Sequence, residues 1–219
     1  MSFYFCSSID SVLPDISKVD CPFRLDQIVF LFFQKSQATP SFVEGTNSIT
    51  EAASWTPFLT ATDNTKIEKS PAFSSMVIPK SEQLTTGGGD NSTPFGIAKL
   101  QGQSNVQVTA MLQDVPTEVL KQLDQYTRFS FSTQAVSNLT VYMVNRAGRI
   151  FHINGSGVPI YNFNVSSIGT EGYSSSTDAE VRFTLANNLL DANGNFIAWD
   201  RNLEEAIPEV GFNPLSIVS

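Results

Sequence analysis

Apolar and polar residues alternate along much of this chain, and the places where alternation fails are as informative as the places where it holds. The stretch LDQIVFLFFQK, Leu25 to Lys35, breaks it most sharply, with six consecutive apolar residues from Ile28 to Phe33. The run is short for a helix and is β-branched and aromatic, so it predicts a strand. Side chains on a strand alternate between faces, so this one is apolar on both and needs cover on both. Two sources of cover are open. One is intramolecular, with a helix on one side and a second sheet on the other. The other is a neighbouring subunit.

Residues 1–24 carry Pro14 and Pro22 and read as an arm or irregular strand, and residues 36–50 read as a loop. TEAASWTPFLTA, Thr50 to Ala61, predicts a short helix limited or kinked by Pro57, with Trp55, Phe58 and Leu59 on its buried side. Residues 62–105 are polar and punctuated, including Pro71, Pro79, Pro94 and TTGGGDNSTPFG, and predict a long loop or hairpin arm. From Val106 the pattern sharpens. Val106, Val108, Ala110 and Leu112 share one strand face. Val115, Val119, Leu120, Leu123 and Tyr126 then recur at helical spacing, with Asp114 as cap, Pro116 in the first turn and Glu118 at the positive end of the dipole, predicting a helix over about 115–126.

Phe129 and Phe131 alternate with Ser, as a strand would. LTVYMVN and RIFHIN flank a turn at Arg146-Ala147-Gly148, which is a hairpin signal. Tyr161, Phe163 and Val165 alternate with Asn162 and Asn164, and Val181, Phe183 and Leu185 with Arg182 and Thr184. The whole predicts a single mainly β domain over 1–219: an antiparallel β-sandwich or open β-barrel with one flanking α-helix and a long loop or hairpin excursion.

Charge changes this picture in one respect. Lys and Arg number 13 against 21 Asp and Glu, a net charge of −8, so the general surface repels nucleic acid rather than gripping it. The segment 189–219 holds five acids and one base, half of that excess. Only 16% of residues are charged, below the usual quarter, and Ser, Thr, Asn and Gln take their place, as happens where surface meets other protein or in secreted β proteins. The opening residues lack the basic and long apolar regions of a secretory signal. The Ile28–Phe33 run is far below the roughly 20 residues that span a bilayer, so no membrane role is expected.

Candidate chemistry is thin. The single histidine, His152, sits in a strand pattern without a nucleophile elbow and reads as a structural strand residue. Cys6 and Cys21 have neither zinc-site spacing nor a Cys–His signature and read as buried thiols, with a disulfide left open. The Gly-rich run at 87–89 lacks the Gly-Lys-Ser/Thr ending of a phosphate loop. Asp191, Asn193 and Asn195 imitate the start of a calcium loop, but Phe196 and Asn202 stand where Gly and Glu are needed, and an Asn193-Gly194 turn accounts for the pattern. Glu204 and Glu205 are adjacent and need not face one substrate. No catalytic residue, cofactor or metal is therefore assigned.

The order of elements, carried most clearly by GIAKLQGQSNVQVTAMLQDVPTEVLKQLDQY from Gly96 to Tyr126, resembles phage tail tube proteins. The composition is similar to that of virion proteins from phages of Bacteroidetes hosts. The resemblance covers about half of the chain and has no diagnostic motif. It implies a non-enzymatic virion subunit, made in the host cytoplasm, that forms hexameric rings stacked into a tail tube. DNA would pass without sequence-specific binding through an acidic lumen. It makes Glu68, Glu82, Asp90, Asp200, Glu204, Glu205 and Glu209 candidate lumen acids. Ile28, Phe30, Phe32, Gly87, Gly88 and Gly89 become candidate contacts between subunits, and other virion proteins the expected partners. A capsid decoration or head-tail neck protein fits the same features. A surface adhesin or carbohydrate-binding module would instead need exposed aromatics, for which Trp55, Tyr161 and Tyr173 are the candidates.

Overall fold

The computed structural model describes residues 27–86, 99–130, 138–168, 176–185, 187, 189–190, 196–197 and 199–217. The N-terminal arm with both cysteines, Gly87 to Gly89, Asp90, Phe131 and Tyr173 lie outside the described residues. The chain is mainly β, with one antiparallel nine-stranded sheet. Its ladder is not closed, as in a β-sandwich or open barrel with a flanking helix.

The apolar run forms strand β1, Ile28–Lys35, which pairs along its length with β7, Leu139–Asn145. The other edge of β7 is shared. Near its C-terminal end it pairs with β8, Ile150–His152, and near its start with β9, Val158–Ile168. The sheet continues through β10, Ser176–Leu185, to β6, Val106–Pro116, and to β3, Ser75–Val77. The free edge of β1 takes β2, Ile67–Lys69. The chain between β2 and β3 then crosses from one margin of the sheet to the other. Ser70 and Phe73 donate backbone N–H groups to the carbonyls of Leu31 and Val29, and Ser74 donates to Met111. One bent segment, 67–77, therefore spans the gap between the sheet's margins. It belongs to the body, with Ile67 fully buried, so the expected excursion from residue 62 begins only after Val77.

Both faces of β1 are covered by this chain. Ile28, Leu31 and Phe33 join the barrel interior with Val108, Leu112, Val141, Phe163 and Phe183. Helix α2, Thr117–Ser130, contributes there, with Tyr126 stacked on Phe33 at a centroid distance of 5.0 Å. The opposite face carries Phe32 and Phe30 into a second cluster with Phe42, Trp55, Ile67, Tyr142 and Val144. That cluster is not covered by a second sheet. Its cover is α1, Ala52–Leu59, with the loop before it and a strap formed by residues 207–217, whose Phe212, Leu215 and Ile217 pack on it. Trp55 lies edge-on to Phe32 at 5.2 Å, and its indole N–H donates to the Ile49 carbonyl at 2.8 Å. Helix α1 matches expectation, with Pro57 inside it and Trp55 buried.

Elsewhere the helix and strand boundaries move for physical reasons. The helix begins at Thr117, not 115, because β6 continues to Pro116 through a bulge. Asp114 has φ +52° and does not cap the helix; its N–H donates to the Asp178 carboxylate at 2.9 Å, while Val115 and Pro116 stay paired with Thr177 and Ser176. Phe129 falls within the helix rather than in a strand. A second bulge at Asn162, φ +51°, shifts parity in β9, so Ile160 and Phe163 point inward and Tyr161 is left half-buried. The expected hairpin of β7 and β8 is present, its turn held by the Asn145 side-chain oxygen accepting from the N–H groups of Ala147 and Arg149.

After His152 a two-residue Asn154-Gly155 turn, both residues at positive φ, reverses the chain between Ile153 and Ser156. A Cβ on Gly155 would lie 1.9 Å from the Phe42 carbonyl oxygen, whereas one on Gly45, also at positive φ, meets nothing within 4 Å. Gly155→Ala is expected to cost about 3 kcal/mol or more, and Gly45→Ala only about 1 kcal/mol, read as the separation of their urea midpoints by circular dichroism. Phe32→Ala is expected to cost about 3–5 kcal/mol by the same measurement.

Candidate functional site

The residues that a tube reading singles out separate into three groups in space. The first is an arm. Strands β4, Gln83–Thr86, and β5, Lys99–Gln103, pair with each other in a two-stranded ladder separate from the main sheet. They continue the line of β3 and β6. Residues 78–82 and 104–108 match in length between the two ladders, and Ser104 N–H donates to the Glu82 carbonyl at 2.7 Å while Glu82 N–H donates to Ser104 Oγ at 2.9 Å. The arm carries exposed Val77 near its root and exposed Leu84 further along. Its base is pinned by Asn187, whose side-chain amide donates to the Ser104 carbonyl at 2.7 Å.

The second group is the acids, of which Asp90 lies outside the described residues. Glu68 on β2 is bridged to Lys66 at 2.9 Å. Glu204 and Glu205 sit on β13, Glu204–Ala206, antiparallel to β8, and point to opposite sides of it. Glu205 is half-buried and bridged to Arg149 at 2.5 Å, so its charge is balanced within the chain. Glu82 and Glu209 are exposed. Asp200 lies in the short helix α3, Trp199–Asn202, following a two-stranded hairpin of β11, Leu189–Leu190, and β12, Phe196–Ile197. Asn193 and Gly194, between these two strands in sequence, lie outside the described residues. The candidate contacts on β1 are also displaced: Ile28 and Phe32 are buried, and Phe30 lies beneath Lys69, whose Nζ is 4.0 Å from its ring centroid. Ile28 and Phe32 are covered by this chain and Phe30 partly so.

The third group is His152 and its surroundings, which sequence alone treats as unremarkable. His152 is buried opposite Glu204, its Nδ1 3.3 Å from the Glu204 carboxylate. Nδ1 accepts the Gly155 backbone N–H at 3.1 Å. Burial pulls the imidazole pKa down to about 4 and raises that of Glu204, so the contact at neutral pH is not a salt bridge. The histidine is an acceptor that fastens the Asn154-Gly155 turn against Phe42. Among the described residues no group of three or more His, Cys, Asp or Glu could hold a metal ion, and no helix is long and apolar enough to cross a membrane. Of the aromatics that a carbohydrate-binding surface would use, Trp55 is fully buried and Tyr161 half-buried. No protein-family model matches the chain, and no curated protein matches it in sequence.

The histidine sets a pH dependence with a definite sign. Unfolded, His152 takes up a proton near pH 6.5, and folded only near pH 4, so between these values the unfolded state holds more protons and stability falls as pH falls. Glu204, raised by burial, opposes this in the acidic part of the window. The His152 contribution alone is about 2 kcal/mol less stability at pH 5 than at pH 7. His152→Gln keeps an acceptor for Gly155 without the titration. Its urea midpoint should change less between those pH values than that of the parent chain, and an equal change would remove His152 as the cause.

Proposed function

We propose that this chain is a non-enzymatic structural subunit of a phage virion that assembles with copies of itself into stacked rings of a tail tube. The observation that carries the reading is the β4–β5 arm. A two-stranded hairpin on its own is marginally stable in water, and this one forms a ladder separate from the main sheet with the Leu84 side chain exposed. A second protein surface is the natural source of the missing support, and repeated head-to-tail contacts of that kind build open-ended filaments. An open barrel with one flanking helix and a projecting hairpin is also the layout that the resemblance to tail tube proteins implies.

The acidic balance supports passage of DNA without adhesion. Glu82, at the base of the arm, and Glu209 are the described candidates from the lumen set that are exposed. Glu205 and Glu68 are engaged in pairs and contribute less net field.

One observation favours a second reading. The core is closed within a single copy, including both faces of β1, which suits a capsid decoration or neck protein that binds as a small oligomer. Negative-stain microscopy of concentrated protein separates the two. The tube reading expects hollow rods with a central channel. Replacing residues 83–103 with a short Gly-Ser turn should abolish rods while leaving the thermal midpoint within about 4 °C, since the body retains its own core. Particles that remain monomers or small closed rings at every concentration would favour the decoration or neck role.

A further inference from the structure

We propose that the strap, residues 207–217, exchanges between copies of this chain, so that residues 212–217 of one molecule fill the groove of another. This groove is the seat that the strap takes on the outer cluster of β1, β2 and α1, where Phe32, Trp55 and Ile67 are buried and Phe30 and Phe58 pack against them. Its fitting ligand is visible, because the chain's own Phe212, Leu215 and Ile217 occupy it. The polar part of the seat is Lys69. Its Nζ lies over the Phe30 ring and donates to the backbone carbonyls of Leu215 at 2.8 Å and Ile217 at 2.7 Å. A folded turn at Pro214–Ser216, capped by the Asn213 side chain accepting from Leu215 N–H, makes the strap a preformed unit. Every one of these contacts is reproduced unchanged if the strap comes from a second copy.

When the exchanged contacts are the same, the connector decides the balance. Residues 207–211 are a poor closed connector. Ile207 is 59% exposed and Val210 fully exposed, so two large apolar side chains stand in water. Gly211 sits at φ +98° with open space around it, and Pro208 stiffens the approach. The Glu209 N–H bond to the Thr50 carbonyl, 3.0 Å, ties this stretch to the body. Opened, five residues reach about 17 Å. Ile207 and Val210 would then lie between two bodies rather than in solvent. β13 stays behind on β8, anchored by Arg149 and Glu205, so the exchange needs no change in the barrel. The inference does not depend on a virion role.

The test uses the full chain. Two populations, one carrying a donor dye and one an acceptor on the α-amine, are mixed at high concentration and then diluted, with energy transfer and light-scattering mass read together. Exchange predicts transfer carried by a dimer that survives dilution for minutes or longer. Leu215→Asp, which cannot seat in the groove, should abolish it while circular dichroism stays native. Lys69→Ala leaves the apolar groups of the strap in place and removes two charge-assisted hydrogen bonds together with the cation over Phe30, so it should speed exchange at least about tenfold. Absence of dimer, full transfer in a folded Leu215→Asp chain, or an unchanged rate in Lys69→Ala would each overturn the proposal. Rods forming without strap transfer would defeat this inference and leave the tube reading intact.

Discussion

The pairing of β1 with β7 is the constraint from which the rest of this structure follows. Two fully hydrogen-bonded strands with large apolar side chains on both faces cannot sit at a solvent boundary, since each buried Phe or Leu is worth about 1.5–3 kcal/mol only if something covers it. One face closes into the barrel. The other requires additional chain, and α1, the loop before it and the strap have little to do with the barrel except to supply that layer. A polar network makes the seam between the two specific. Gln34, at the end of β1, is buried and accepts from Ser41 Oγ at 2.9 Å and Tyr142 Oη at 3.0 Å while donating to the Thr65 carbonyl at 2.9 Å. The oxygen and the nitrogen of that amide are thus both engaged, by segments of the outer layer and by β7. The network fixes how the layer sits without leaving a buried amide unsatisfied.

Much of this was legible in the residues, and the failures have a common cause. Period-two patterns located β6, β7, β8 and β10, and Val119, Leu120, Leu123 and Tyr126 located the buried face of α2. Errors arose where one backbone residue breaks a period. Asp114 and Asn162 adopt positive φ inside strands, each adding a residue to one side of a ladder and reversing which side chains point inward beyond it. Neither residue type is diagnostic of a bulge, because Asp and Asn are also ordinary turn and cap residues. The run Ile28–Phe33 stated that two faces needed cover, yet a period cannot say what covers a face. The answer lay in Trp55 and in Phe212 to Ile217, far away in sequence and unremarkable on their own.

The candidate site shows the same limit from the side of charge. In the sequence the acids form a pool of excess negative charge. In the fold they are individuals. Arg149 meets Glu205 across 56 positions of chain because β13 pairs with β8, and no local pattern announces that pairing. Glu204 faces inward toward a histidine that is neutral because it is buried. The arm was the more legible part. Its polar composition and its Gly and Pro punctuation forecast an excursion, although residues 67–77 proved to be the segment that spans the gap in the sheet, marked only by Ile67 and by the carbonyl acceptors on β1 that it satisfies.

A core closed within one copy changes what assembly can mean for such a chain. An obligate oligomer finishes its core with its neighbours, so its folding and its assembly are one equilibrium. Here the two are separable. In the proposed assembly, contact with other copies would be made by what lies outside that core or can be released from it. The arm and the strap are those parts, and they leave the body in different directions of the chain, one between β3 and β6 and the other after β13. Neither contributes a strand to the barrel interior, so each can move to a partner without opening it. In the proposed assembly, part of the free energy of joining would be held in these segments, and a strap that leaves its own outer cluster would have to be replaced there by another.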